Sequence, residues 1–312
     1  MPVVYFLFRI IARLISWLPF PLLYALSDVL YFKLYYIFRY RRKVVFYNLK
    51  NAFPEKTDQE IRLIVRKFYR HLADVILEVI KLRSMSGDTL VKRLHFTNLS
   101  LMQEILDSGQ SIIGAIGHIG NWEWMPIGLQ RVLTGMHGYA VIKPLSDKFF
   151  DAYYHKIRSR LLINSEVISF KHIFRELVKR RSELTFTIVA ADQTPHRDEI
   201  HYWTHFLNQE TAFFQGVEKM ATSLNMAVLF LDVQQTRRGH YEVTATKITV
   251  TPGNTNPNEI MEQYIQLLEA AIRKNPYNWL WSHRRWKYKR EERGERREER
   301  GERRNEILML GN

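Results

Sequence analysis

The segment Ser111-Ile-Ile-Gly-Ala-Ile-Gly-His-Ile-Gly-Asn-Trp-Glu123 carries two signals at once. Residues 111–116 are a short apolar run, which predicts a buried strand. Glu123 then opens a helix running to about residue 133. His118 stands at the strand's carboxyl end, and four residues separate it from Glu123. A histidine so placed, with an acid near it to orient the ring, can act as a general base. The carboxylate holds one tautomer and stabilises the imidazolium formed on proton transfer. Gly117 and Gly120 leave backbone room for a ligand. N–H groups at the start of the new helix are available to an oxyanion. A lone histidine at a strand end is more often structural, and a bare H-x-x-x-x-E recurs by chance. The flanking glycines, asparagine and tryptophan make this instance more specific.

Outward from this segment, strands and helices alternate. Strands are expected at 138–142, 165–169, 184–190, 226–233 and 241–250, and helices at 147–162, 173–180, 213–224 and 258–274. The helical assignments rest on spacing, as in Phe149, Tyr153, Ile157 and Leu161. Upstream, Lys50 to Glu55 reads as a turn, and Thr57 with Glu60 forms a capping box that opens a long amphipathic helix over 58–82. A short strand at 90–96 and a helix at 98–108, closed by Gly109, complete the pattern. It implies an α/β fold with a mostly parallel or mixed central sheet covered by helices. Ligands bind at the carboxyl ends of such strands. His118, Asp192 and Arg237 fall there.

The chain has 312 residues, no cysteine and a formal charge of +14. The missing cysteine excludes disulfides, thiolate catalysis and cysteine-bound metal. The charge suits nucleic acid, an anionic membrane or an acidic protein. No nucleic-acid-binding module is visible, so nucleic acid is not an expected partner. Residues 3–38 are dense in Leu, Ile, Phe and Tyr but are broken by Arg9, Arg13, Asp28 and Lys33, and by Pro19 and Pro21. Two helices, near 3–17 and 22–38, are the better reading than one span or a signal peptide. The basic cluster Arg39-Tyr-Arg-Arg-Lys43 after them favours the cytoplasmic side of a membrane. Three regions follow: a membrane-anchoring segment with a basic flank (1–43), a catalytic domain (44–288) and a charged, solvated or disordered tail (289–312) whose R-G-E-R-R-E-E pattern repeats.

Gly117-His-Ile-Gly-Asn-Trp-Glu123 is similar to the G-H-x-G-N-W-E motif of the bacterial lipid A biosynthesis (lauroyl/myristoyl) acyltransferases, a branch of the lysophospholipid acyltransferase superfamily. Arg42-Lys-Val-Val-Phe-Tyr-Asn-Leu-Lys-Asn-Ala-Phe-Pro-Glu55, Ala191-Asp-Gln193 and Trp279-Leu-Trp-Ser-His-Arg-Arg-Trp286 also resemble that family, in the family's order. The resemblance runs from about residue 8 to 288 and implies a glycerolipid acyltransferase-like fold with N-terminal membrane helices. It implies acyl transfer from an acidic acyl carrier protein to a hydroxyl of an anionic glycolipid, a lipid A precursor, at the inner face of the bacterial inner membrane. By resemblance His118 is the base and Glu123 its partner, while Arg158, Asp192 and Asn121 support substrate or oxyanion. Trp122, Trp124 and Met125 are candidates to line an acyl groove, with core packing the alternative. Leu207-Asn208 stands where relatives often have Phe-Gly, in a loop expected to touch substrate or donor.

With no cysteine and no serine elbow, direct attack of the acceptor hydroxyl on the thioester needs no covalent intermediate, cofactor or metal. The same dyad also serves another membrane-lipid acceptor, a lysophospholipid, aminolipid or glycolipid, with coenzyme A as donor. A non-catalytic membrane scaffold predicts instead that His118 is buried without a cavity.

Overall fold

The computed structural model describes residues 2–290; the repeat-bearing part of the tail lies outside them. Two apolar helices open the chain, α1 (Pro2–Trp17) and α2 (Phe20–Phe32), and a π-helical turn (Lys33–Ile37) prolongs the second. Helices α3 (Arg42–Ala52), α4 (Asp58–Lys81) and α5 (Gly87–Val91) lead to β1 (Leu94–Phe96) and α6 (Leu99–Asp107). The alternating core is β2 (Ile112–Ile116), α7 (Trp124–Val132), β3 (His137–Ile142), α8 (Lys148–Ser159), β4 (Ser165–Ser169), α9 (Ile173–Lys179) and β5 (Thr185–Ala190). A hairpin of β6 (Tyr202–Phe206) and β7 (Gln209–Phe213) precedes α10 (Gly216–Leu224), and β8 (Ala227–Arg237), β9 (His240–Thr249) and α11 (Glu259–Lys274) follow.

The seven-stranded sheet has the order β1-β9-β8-β2-β5-β3-β4. Neighbours are parallel throughout except β8 and β9, which form an antiparallel pair. The sheet is therefore mixed, with a parallel majority. Alternation of side chains divides the core in two. Val228 and Phe230 of β8 join the face under α10 and α11, whereas Ala227, Leu229 and Leu231 join the face under α6 and α7.

Three local expectations change. Residues 42–52 are helical: Val45, Leu49 and Ala52 are buried at helical spacing, so the turn begins only at Phe53. The expected strand at 90–96 begins as the end of α5 and extends only over Leu94–Phe96. The expected substrate loop is a hairpin instead, with Leu207 and Asn208 at φ 51° and 61°. Two consecutive left-handed residues make the tight turn that joins twisted strands, usually at the expense of a glycine. Leu207 is buried, and its N–H donates to Glu269 at 2.8 Å. Asn208 donates to the carbonyl of Ala52 at 3.0 Å, so the turn grips α3 and α11.

Among the described residues no helix is long and apolar enough to cross a membrane. The 16 residues of α1 rise about 24 Å, short of a bilayer core of about 30 Å. The two-helix reading of this segment holds, and the membrane helices that the resemblance implies are not found as spans among the described residues. Both helices dock on α4 instead, burying Ala12 and Leu23. Tyr24, Ser27 and Asp28 of α2 bond to Glu78, Asp74 and Arg238 respectively. Their outer faces expose Phe6, Ile11, Leu14, Trp17, Leu22, Val29 and Phe32.

Candidate active site

Parallel pairing of β2 with β5 sets Ile116 opposite Ala190. Two residues beyond each strand end stand His118 and Asp192. Neighbouring strands lie roughly 4.8 Å apart, so the two side chains meet. His118 Nδ1 donates to Asp192 Oδ1 at 2.6 Å, and the His118 backbone N–H donates to Oδ2 at 2.8 Å. Trp279 Nε1 also donates to Oδ2, at 2.6 Å. The Asp192 side chain is 1% exposed and that of His118 17%. Burial raises a carboxyl's pKa, but the His118 ring and these donors outweigh it and hold Asp192 below the usual range. Burial likewise opposes protonation of His118; the Asp192 carboxylate prevails and moves the ring above its ordinary value. The orienting carboxylate is therefore Asp192, not Glu123.

Glu123 has a different partner. Arg158 of α8 binds it through two parallel bonds, Nε to Oε2 at 2.7 Å and Nη2 to Oε1 at 2.5 Å. Both side chains are largely buried, so the fork fixes them tightly. No hydrogen bond joins Glu123 to His118 among the described residues, although the Glu123 charge adds to the upward shift of the ring. Arg158 Nη1 makes no hydrogen bond among the described residues and is the free donor of the pair.

Asn121 does not reach the cavity. Its Oδ1 accepts from the backbone N–H of Glu123 (3.2 Å) and Trp124 (2.8 Å), and its Nδ2 donates to Glu78 at 2.7 Å. Both polar atoms of its side chain are engaged inside the protein, where Oδ1 caps the start of α7. It also occupies two N–H groups expected for an oxyanion. Glu78, which the sequence reading passed over, lies fully buried beneath this cap and further accepts from Tyr241 (2.7 Å) and Tyr24 (2.8 Å). Burial moves its carboxyl up to about 7. The two glycines also serve the fold. A Cβ on Gly117 would stand 2.5 Å from Leu268, and one on Gly120, at φ 59°, would stand 2.4 Å from the Val233 carbonyl. Their room is filled by protein, not ligand. The C-terminal tryptophan segment closes this scaffold: Leu280 N–H donates to the His118 carbonyl, and Gly120 N–H to that of Asn278, both at 3.0 Å.

A cavity of about 470 Å³ opens beside the pair. His118, Glu123, Arg158 and Gln193 stand on its wall, and Ile127, Ala140, Val167 and Ile188 make much of the remainder apolar. Trp122 lines it and meets the His118 ring edge-on at 5.4 Å. Trp124 and Met125 do not; both are fully buried. Helical spacing explains the split, since residues 123, 126 and 127 face the cavity while 124 and 125 face the core. Arg237 is exposed at the end of β8 and is not part of the wall. Neither strand of the hairpin lines it, although Phe214 just beyond does. Gln193 is the residue sequence reasoning quoted without a role: its amide nitrogen lies 3.0 Å from His118 Nε2. In the neutral ring, with Nδ1–H given to Asp192, Nε2 carries the lone pair and can accept this bond. Among the described residues no group of three or more acidic or histidine side chains is gathered to hold a metal.

A neutral imidazole with a fixed tautomer, opening on an apolar cavity next to an arginine, can deprotonate a hydroxyl and stabilise an oxyanion. A search of curated proteins found no match. The family model for bacterial lipid A biosynthesis acyltransferases, however, matches residues 1–288. That match takes in the strand-end pair, the Glu123–Arg158 fork and the tryptophan segment behind them, so the chain belongs to the bacterial lipid A biosynthesis acyltransferase family and is an O-acyltransferase.

Proposed function

We propose that the protein transfers a fatty acyl chain from the thioester of an acidic acyl carrier protein to a hydroxyl of an anionic lipid A precursor. The observation that carries this reading is His118: Asp192 fixes its Nδ1, and the ring borders an apolar cavity. The acceptor hydroxyl displaces the Gln193 amide from Nε2 and gives up its proton there. Its oxygen attacks the thioester carbonyl, forming a C–O bond and a tetrahedral oxyanion, which the free Nη1 of Arg158 stabilises. The C–S bond then breaks, and the departing thiolate takes the proton from His118. Glu123 orients Arg158, and the apolar wall receives the acyl chain. No cofactor or metal enters this scheme.

The reaction takes place at the cytoplasmic face of the bacterial inner membrane. The exposed apolar faces of α1 and α2 support attachment in the plane of the interface. The charge of +14 draws both the acidic carrier and the anionic lipid towards it. The test offers the purified protein carrier-protein and coenzyme A thioesters, with lipid A precursors and lysophospholipids, and reads products by mass spectrometry. Acyl mass gain on a lipid A precursor from the carrier thioester is expected. Gain only on a lysophospholipid overturns the acceptor, and gain only from coenzyme A overturns the donor.

A further inference from the structure

A second cavity of about 480 Å³ lies away from the catalytic one, in the groove between α3 and the start of α4. Arg42, Phe46 and Lys50 follow one another at four-residue spacing on α3, with Lys43 and Tyr47 beside them. Arg62 stands on the facing wall, and Tyr35 of the π-helical turn closes one end. Four cations thus border one small concavity. Among the described residues a single carboxylate answers them: Asp58 pairs with Lys50 at 2.7 Å and feels Arg62 as well. Neither Arg42, Lys43 nor Arg62 forms an ion pair among the described residues. Rings hold the two guanidinium groups, Arg42 4.8 Å from the centre of Tyr35 and Arg62 6.0 Å from that of Phe46. No residue of this groove contributes to the catalytic cavity.

The surroundings choose between anions. Tyr47 on the rim is 61% exposed, and Ile37 and Phe38, at the end of the π-helical turn, are 57% and 69% exposed. These continue, along the chain, the exposed apolar faces of α2 and α1. A phosphate in the groove therefore has apolar surface beside it, where acyl chains can lie. The concavity, about 480 Å³, has room for a phosphate group. We propose that this groove binds the phosphate headgroup of an anionic membrane lipid and so fixes how the protein sits on the bilayer, independently of the catalytic reading.

The test compares three forms of the full chain: wild type, Lys43→Ala/Arg62→Ala, and Lys33→Ala/Arg39→Ala. The last removes the same charge from Lys33 and Arg39, which precede α3 and do not line the groove. All four residues are exposed, and none belongs to the catalytic machinery. Cosedimentation uses vesicles of phosphatidylcholine with and without phosphatidylglycerol. The groove pair should lose about ten-fold more affinity for the anionic vesicles than the control pair, beyond the general effect of removing surface charge. Acyl transfer in detergent should be unchanged. Equal losses in the two variants overturn the site. Unchanged vesicle binding with a raised KM for the acyl carrier protein assigns the groove to a protein instead. Inorganic phosphate binding without vesicles, lost in the groove variant while vesicle binding persists, assigns it to a soluble anion.

Discussion

His118 and Asp192 stand two residues past the ends of adjacent parallel strands and share a 2.6 Å hydrogen bond. Sheet register, not sequence proximity, supplies the carboxylate that fixes the ring. Glu123, closer along the chain, holds Arg158 instead.

Asp192→Asn tests that division. The amide removes the negative charge and offers Nδ1 the wrong tautomer, so kcat should fall about 10³-fold or more, as carboxylate loss does in comparable triads. The base must be neutral, so kcat/KM rises with pH through the pKa of free His118. Asp192 raises that pKa above its ordinary value, and the acid limb should therefore shift to lower pH in the variant. A pH–rate profile checks both effects.

Glu78 makes stability depend on pH. Its folded pKa of about 7 exceeds the ordinary 4.5, so the native state binds more protons than the unfolded state between these values. Stability should fall by about 3 kcal/mol as pH rises across that window. Denaturant unfolding of Glu78→Gln should show a flatter profile. Glu78→Ala strands the Tyr241 hydroxyl and Asn121 amide and should cost about 1–3 kcal/mol for each group left unsatisfied.

Much of this architecture was legible in the sequence. Apolar spacing located most core elements, and the strand-to-helix junction at His118 was visible because its strand is short and wholly apolar. Asp192 was also recognisable at a strand end. What the sequence did not show was that β5, three strands later in the chain, lies beside β2, because pairing depends on how the crossovers pack. The hairpin turn was missed since Leu207 adopts a backbone that leucine seldom does. Glu78 was hidden within an amphipathic helix, where an acid at helical spacing looks like a solvated one.

On the proposed function, the apolar wall of the cavity should measure acyl-chain length. Ala140 lies on the apolar wall, and Ala140→Phe shortens the space behind it. At roughly 0.8 kcal/mol per methylene, preference between donors two carbons apart should shift about ten-fold towards the shorter. Competition between acyl donors, read by product mass, gives the ratio.

Attachment by the outer face of α1 predicts that Ile11→Glu/Leu14→Glu moves the protein from the membrane to the soluble fraction. Both side chains are exposed, so thermal unfolding should be little changed. Deleting residues 1–38 is a poorer experiment, because it also removes the bonds of Tyr24 and Ser27 to buried acids of α4.

The most direct measurement is single-turnover acyl transfer by His118→Ala, with folding confirmed by circular dichroism. Loss of the base should slow the chemical step by about 10²–10⁴-fold at every pH while leaving acceptor affinity near that of the wild type. A rate within a few-fold of the wild type would contradict the assignment of His118 as the base.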